Sequence, residues 1–565
     1  MNGPARQDSA ARRVLVIGID GGTFRVIDPL LCEGRLPNIG RLIERGVRGD
    51  LLSTIPPSSS TAWTSFMTGK NPGKHGVYFF RRRMNGSYER PLINADWVRS
   101  QTLWDIVSAA GNRVNVFNVP VTYPPRAING VMVSGLLTPS QESVFTYPSA
   151  LHLELIFEVG TLPLFHDIMA TFKRDTALNT LDQLFFTERK RGEAVLYLMD
   201  RYPWDLFVAV FTATDRLQHQ AGRMWRDDYE RQGGEWAGKL GDVISQCYEL
   251  VDGIIGKMLA RVGDETTVVI LSDHGFGPID KHFYVNRWLI DEGLLKLKRG
   301  LGARRRLSYR KTSLGRIVQR SPFRSISRFL PRLLRGLPVG IPVFRPCRPE
   351  ERVDWSRTRA FSSFEGGEET ISINQRGREP KGCVEPGHEF ESARQSVIDR
   401  LKELRDPVTG EPIIEGAYRP EEIYRGPLLV EAPDITFTTR KMSYHPRGEL
   451  DGNDLFENPP TGTPALHTLE GILAMSGGPV KRGTAITGAS IIDLAPTVLY
   501  LLGIPVPKDM DGKILVSAIE DEFVQSHEPE FVEPPEETRA APERSFSSEE
   551  EEQVKDHLRA IGYID

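Results

Sequence analysis

RVLVIGID, residues 13–20, is a near-continuous apolar run rich in β-branched residues, and it closes in Asp20-Gly21-Gly22. A run with no polar alternation reads as a strand covered on both faces, the situation of a parallel sheet, that ends in a loop. Working outward, the design recurs. Leu206–Phe211 precedes Thr212-Ala213-Thr214-Asp215, Thr267–Leu271 precedes Ser272-Asp273-His274-Gly275, and Gly471–Met475 precedes Ser476-Gly477-Gly478. Helical patterns lie between these runs. PNIGRLIERG (37–46) has an early Pro and a terminal Gly, 241–263 carries apolar residues at three-to-four spacing, and 493–503 opens at Asp493, a helix cap, and closes at Gly503. The expectation is an α/β fold: a doubly wound, mostly parallel central sheet with helices on both faces and helical insertions. Its site should lie beyond the carboxyl ends of the strands.

The chain has 565 residues, enough for one large core with insertions or for several domains. The catalytic core is expected over 11–285 and 353–515. Residues 141–200 read as a helical lid, 286–352 as a basic helical insertion, 516–548 as an acidic, Pro-rich linker, and 549–565 as a C-terminal helix that docks through Val554, Leu558 and Ile561.

A formal net charge of −4 argues against a general nucleic-acid binder. That mean conceals a segregation: between Lys296 and Arg348 lie 16 Lys and Arg and no acid, so the rest of the chain is acidic. The 4 cysteines are far apart with no CxxC pair, which fits neither a disulfide framework nor a cysteine zinc site. MNGPARQDSAARR lacks the apolar core of a signal peptide, and no run approaches the roughly 20 apolar residues of a membrane span. The expected location is the cytoplasm, peripheral at a membrane if the basic segment meets lipid.

Asp20, Asp215, Asp273 and His274 all follow strands. His219 lies four residues after Asp215, on the same face if the segment is helical, and His467 precedes the Gly471 strand at the same edge. Hard oxygens with imidazoles suit Zn²⁺, with Mn²⁺ as the alternative, and six such ligands match two ions rather than one. Each aspartate alone would be an ordinary turn or cap residue. The set is what carries the reading. TIPPSSSTAWTSFMTGKNPGKHG (54–76) places hydroxyls at a helix N-terminus, where backbone N–H groups favour an anion. Its TGKNPGK stretch lacks P-loop spacing.

VLVIGIDGG, PPSSSTAWTSFMTGKNPGKHG, DRLQH, LSDHG, the His467 segment and DLAPTVLYLLGIPVP occur in the order found in the alkaline phosphatase superfamily. The branch the chain resembles is the type I phosphodiesterase/nucleotide pyrophosphatase group. The resemblance implies a two-metal phosphohydrolase acting on a small phosphodiester or nucleotide pyrophosphate through a covalent phosphoseryl intermediate. Phosphomonoester or phosphonate hydrolysis is the alternative, and a membrane-surface or polyanion-binding protein with an idle core is the non-enzyme one. By position, Asp20, Asp273 and His274 would hold one ion with the nucleophile, and Asp215, His219 and His467 the other. Counting back ten residues from Gly69 gives Ser59 as nucleophile, with Ser60 and Thr61 as register alternatives. The group's phosphoryl-binding Asn is replaced at about Phe80, for which Arg81 or Arg82 would substitute as substrate-binding residues unless 81–83 is a solvated turn. The formylglycine pattern of sulfatases is absent around Ser59. His75 reads either as a support of the site or as a turn histidine.

Arg316, Arg320, Arg324, Arg328 and Arg332 recur every four residues, one stripe if helical, broken by Pro322 and Pro331. Three readings stay open for 296–348: a helical insert packed on the core, a basic surface meeting anionic lipid, and a steering patch for a polyphosphorylated substrate.

Overall fold

The computed structural model describes residues 12–160, 177–221, 242–298, 305–313, 338–346, 348–364, 366–450, 454–459, 465–534 and 546–560. At its centre five parallel strands lie in the spatial order Thr267–Leu271, Val14–Ile19, Leu206–Phe211, Val114–Val119, Gly130–Ser134. Alternate residues of these strands enter two different cores, as the period of two requires. Val14, Val16, Val208 and Val210 pack with the helices Ser59–Thr68 and Leu494–Leu502, whereas Leu15, Ile17, Phe207 and Ala209 pack with Pro37–Glu44, Ala177–Arg201 and Val243–Leu259. The strands are apolar on both sides because both faces are covered, so the mostly parallel, doubly wound sheet stands as expected.

One strand differs from the repeated design. Glu470–Ser476, which contains the Gly471–Met475 run, is antiparallel to both Thr267–Leu271 and Val47–Leu52. A buried strand is apolar on both faces whichever way it points, so its direction cannot be read from hydropathy. The reversal brings the start of this strand to the carboxyl edge of its neighbours, and His467 arrives there with it.

The core expected to resume at residue 353 rejoins the central sheet only at Glu470. Between them the strands Ala360–Phe361, Thr370–Ile373, Ile435–Thr439 and Ile414–Tyr418 form a four-stranded antiparallel sheet. It is packed by the helix His388–Glu403 into a core of its own containing Phe283, Trp288, Ile371, Leu401 and Phe437.

Two further expectations change. Within the basic insertion, Arg305–Ser313 and Pro338–Pro346 form an antiparallel ribbon instead of helices. Prolines at 338, 342 and 346 deny one strand helical hydrogen bonds, and Ser308, Tyr309, Thr312 and Ser313 lower the helix propensity of the other. The arginine stripe over 316–332 lies outside the described residues. The acidic linker is, over 516–534, packed chain: Ala518 and Ile519 are buried in the main core, Phe523 and Val524 lean on it, and Phe531–Val532 pairs with Val506–Pro507. Composition alone hid these apolar anchors among the acids. Beyond them the helix Ser548–Ala560 buries Val554 and Leu558 beside Phe546, while Ile561 lies outside the described residues. Among the described residues no helix is long and apolar enough to cross a membrane.

Candidate active site

Asp20 directly follows the Val14–Ile19 strand. Gly21 then turns the chain at φ 64°, and a Cβ there would sit 2.5 Å from the Phe276 ring, so only glycine permits this approach. Its N–H donates to Asp273 Oδ1 at 3.1 Å, tying the ends of two parallel strands together. The Trp63 indole N–H donates to Asp20 Oδ2 at 3.1 Å.

The helix Ala213–Ala221 starts two residues after Leu206–Phe211 and places Asp215 and His219 one turn apart, with Asp215 Oδ1 3.4 Å from His219 Nε2. His467 lies on the strand Ala465–Thr468, paired in register with Phe276 of Gly275–Pro278. Its Nε2 is 3.5 Å from Asp215 Oδ1 and 2.8 Å from His219 Nε2. On the other side, His274 Nε2 lies 3.2 Å from Asp273 Oδ2, 3.9 Å from Asp20 Oδ1 and 4.0 Å from Asp215 Oδ1. All six sequence-selected ligands therefore meet at one place, and each is buried.

Three hydroxyls compete for the nucleophile position. The Ser59 Oγ is 3.0 Å from His274 Nε2. Ser60 instead faces the Ser58 hydroxyl at 3.1 Å, and Thr61 donates to the Tyr78 carbonyl at 2.7 Å. Ser59 opens the ten-residue helix Ser59–Thr68, all of it buried, which ends at Gly69 in the left-handed conformation. First-turn N–H groups and the positive end of the helix dipole therefore lie beside that hydroxyl.

The donor set has the chemistry of a metal centre. His467 Nδ1 faces the Pro57 carbonyl at 2.7 Å and His274 Nδ1 the Gly275 carbonyl at 3.1 Å, which fixes both protons on Nδ1 and turns both bare Nε2 atoms inward. Burial holds His219 and His274 below the usual histidine range, which keeps them neutral as ligation requires. Burial raises Asp20 well above the usual carboxylate range, with Asp273 and Asp215 adding to it, and it brings Asp273 to about 7, with Asp215 adding. Asp215 is also opposed by burial, but the neighbouring His219 and His467 imidazoles and the Arg216 guanidinium hold it well below the ordinary value. Asp20 Oδ1 is buried and has no hydrogen-bond partner among the described residues. Crowded carboxylates and inward lone pairs call for cations. The ligand atoms of Asp215, His219 and His467 lie within 4.8 Å of one another, and so do those of Asp20, Asp215 and His274, so Asp215 belongs to both groups.

The other candidates stand apart. Arg82 stacks on Trp97 at 4.0 Å, and Arg83 reaches Asp434 at 3.3 Å. Arg81 lines a separate cavity of about 470 Å³ with Tyr88, Arg90, Arg348 and Trp355. Phe80 is buried in the core. His75 receives the Val77 N–H on Nδ1 at 3.1 Å and faces Ser65 Oγ through Nε2 at 2.9 Å, an internal support of the Ser59 helix. Asp493 makes no side-chain capping bond to the helix Leu494–Leu502; it accepts from the Lys513 N–H and, as the third residue of the turn Ile491–Asp493, from the N–H of Ser490, the cap of that turn.

Sequence reasoning missed three contributors. Arg216 Nη1 lies 2.6 Å from Asp215 Oδ2, and its signal was a charge inside the otherwise ligating DRLQH segment. Glu188 accepts the Ala213 N–H at 3.3 Å, and Arg191 donates to both Glu188 at 3.0 Å and Thr212 Oγ1 at 2.7 Å. These two come from the helix read as a lid, and here they brace the start of the Asp215 helix from beneath.

A family model described as type I phosphodiesterase / nucleotide pyrophosphatase matches residues 14–334, more than half of the chain. No curated protein sequence matches it. Phosphonoacetate hydrolase from Sinorhizobium meliloti 1021 in complex with phosphonoacetate has a TM-score of 0.52 at 15% identity, covering 87% of this chain and 95% of that one. The same hydrolase with phosphonoformate gives 0.51 at 15% identity over the same shares. Murine ectonucleotide pyrophosphatase / phosphodiesterase 5 in complex with AMP gives 0.46 at 11% identity, again over 87% and 95%. At 15% identity the likeness to the bacterial hydrolase establishes the alkaline phosphatase-like fold.

Proposed function

Because this chain belongs to the type I phosphodiesterase / nucleotide pyrophosphatase family, we propose that it is a two-metal phosphohydrolase that cleaves small phosphodiester or pyrophosphate substrates with Ser59 as nucleophile. The observation that carries this reading is the Ser59 hydroxyl 3.0 Å from His274 Nε2, at the edge of the Asp/His cluster. Divalent ions, Zn²⁺ or Mn²⁺, held by Asp20, Asp273 and His274 and by Asp215, His219 and His467, would supply Lewis acidity and neutralise charge on the phosphoryl oxygens. Ser59 Oγ forms a bond to phosphorus as the P–O bond to the leaving group breaks. The leaving oxygen takes up a proton, and water then cleaves the phosphoseryl bond to regenerate the hydroxyl. The start of the Ser59–Thr68 helix holds the hydroxyl beside the Asp20, Asp273 and His274 ligand atoms, and its first-turn N–H groups face the developing negative charge. Burial of the ligand residues keeps bulk water from screening these interactions.

A phosphomonoester or phosphonate is the second reading, favoured by Phe80 at the place where the nucleotide pyrophosphatase pattern has a phosphoryl-binding Asn. Metal analysis of the purified protein together with turnover of bis- and mono-p-nitrophenyl phosphate tests both. A diester preference that needs metal and is lost in Ser59→Ala and Asp273→Asn supports the first reading. Activity surviving in both variants refutes the role assignment.

A further inference from the structure

With Phe80 buried and Arg82 on Trp97, the polar groups that meet the rest of the substrate must come from elsewhere. The strand Lys281–Tyr284 begins three residues after Gly275–Pro278, the strand whose Phe276 lies opposite His467. It therefore leaves the metal cluster carrying His282. Tyr444–Arg447 pairs with it in parallel and sets His445 opposite His282, with ring centroids 5.3 Å apart and planes at 51°. Gly367 closes against this pair, since a Cβ there would fall 2.8 Å from His445 Nε2 and 2.1 Å from the Pro446 carbonyl. Two residues on, Glu369 is 8% exposed.

The turn Arg440–Met442, just before Tyr444–Arg447, packs against Ala465–Thr468, the strand that carries His467, which sets this pair of strands beside the cluster. Burial lowers His445 well below the usual histidine range, with the Arg447 charge adding to that effect. Glu369 is pushed to about 7 by burial, an effect that His467 opposes and Glu368 reinforces. Glu368 itself is bonded to Arg90 at 2.8 Å. His445 Nδ1 is buried with no hydrogen-bond partner among the described residues. His282, His445 and Glu369 all lie outside both metal-holding groups.

We propose that His282, His445 and Glu369 form the wall that receives the leaving group, and that they select a hydroxyl-rich one, a polyol or sugar, over an anionic one. The proposal rests on the hydrolase reading above. A neutral imidazole both donates and accepts, a carboxyl group accepts strongly, and a hydroxyl satisfies either. A buried ring nitrogen without a partner is costly, and a substrate hydroxyl would relieve that cost. A buried carboxyl group, ionised or not, supplies no positive charge for the leaving phosphate of a pyrophosphate, which points to phosphate esters of polyols.

The test compares sn-glycerol 3-phosphate with ethyl phosphate, which share the phosphoryl group and differ in hydroxyls, by calorimetric titration of the metal-loaded full chain. The wild type is expected to bind the glycerol ester at least about tenfold more tightly, and His282→Ala, His445→Ala and the milder His445→Gln to reduce that ratio to within about twofold. Equal binding of the two esters by the wild type, or a preference that survives all three substitutions, overturns the proposal without touching the hydrolase reading. Retained preference with no turnover of any ester counts against the hydrolase reading alone. Absence of binding to either ester overturns both.

Discussion

Arg216 Nη1 donates to Asp215 Oδ2 at 2.6 Å, the two side chains being 4% and 0% exposed. One carboxylate oxygen is thus occupied by a fixed cation, while Oδ1 lies against His219 and His467 and belongs to both ligand groups. Removing one partner of a buried pair leaves an uncompensated charge and costs roughly 3–5 kcal/mol. Arg216→Met is therefore expected to unfold that much more easily than wild type in EDTA, with the gap narrowing when Zn²⁺ or Mn²⁺ is restored. Urea melts in both conditions measure it. A gap indifferent to metal would mean that Arg216 does not share the site's charge balance.

The hydroxyl contacts at the start of the Ser59–Thr68 helix sort the three candidates. Ser59→Ala is expected to lose on the order of 10³-fold or more in kcat with metal content retained. Ser60→Ala and Thr61→Ala should stay within about tenfold, the latter losing about 1 kcal/mol of stability with its bond to the Tyr78 carbonyl. Steady-state kinetics on the best ester, with metal analysis of each variant, decides the register.

How far the sequence carried differs by element. Asp20, Asp273 and the Asp215/His219 pair were legible because strand ends and one helical turn are local geometry, and local geometry follows from pattern. Convergence of His467 was legible only as proximity to a strand, since the antiparallel direction of Glu470–Ser476 depends on its pairing partners. The antiparallel sheet over 360–439 escaped notice because its strands have only two to five residues, too few for a period. Supports such as Glu188, and the register that pairs His282 with His445, are contacts between distant segments, and hydropathy carries no record of these.

Metal stoichiometry should follow the shared position of Asp215. The wild type is expected to retain two equivalents of Zn²⁺ or Mn²⁺ after dialysis, and His467→Ala one. Asp215→Ala should retain less than one, because Asp215 Oδ1, besides facing His219 and His467, lies 4.0 Å from His274 Nε2 and so borders the other ion as well. Elemental analysis against protein concentration reads this directly. Equal loss in His467→Ala and Asp215→Ala would argue that the groups bind as one unit.

Glu188 and Arg191 act on the metal ligands through the backbone of Ala213 and the hydroxyl of Thr212. Partners that orient ligands in this way typically govern about 10–100-fold in metal affinity. Glu188→Gln keeps the shape but loses the charge facing Arg191, so a metal affinity weaker by about that factor is expected, with the fold intact by circular dichroism. Competition with a chromophoric chelator measures it, and an unchanged affinity would make the pair purely a matter of stability.

Acid sensitivity has an identifiable contributor in His75. Burial, with the Lys70 and Arg99 charges adding, lowers its pKa from 6.5 to about 3. Unfolded chain takes up this proton below 6.5 while folded chain does so only near 3, so between these values the unfolded state binds one proton more. Stability must therefore fall as pH falls through that window, by up to about 1.4 kcal/mol per pH unit from this residue, and the contribution is complete above 6.5. Protonation would also remove the lone pair that accepts the Val77 N–H. His75→Gln cannot titrate. It is expected to be less stable at about pH 7.5, through lost fit against Ser65, yet to show a shallower slope of unfolding free energy between about pH 6 and 4. Urea melts across that range compare the two slopes, and parallel slopes would place the acid sensitivity in the other buried histidines, His274 and His445.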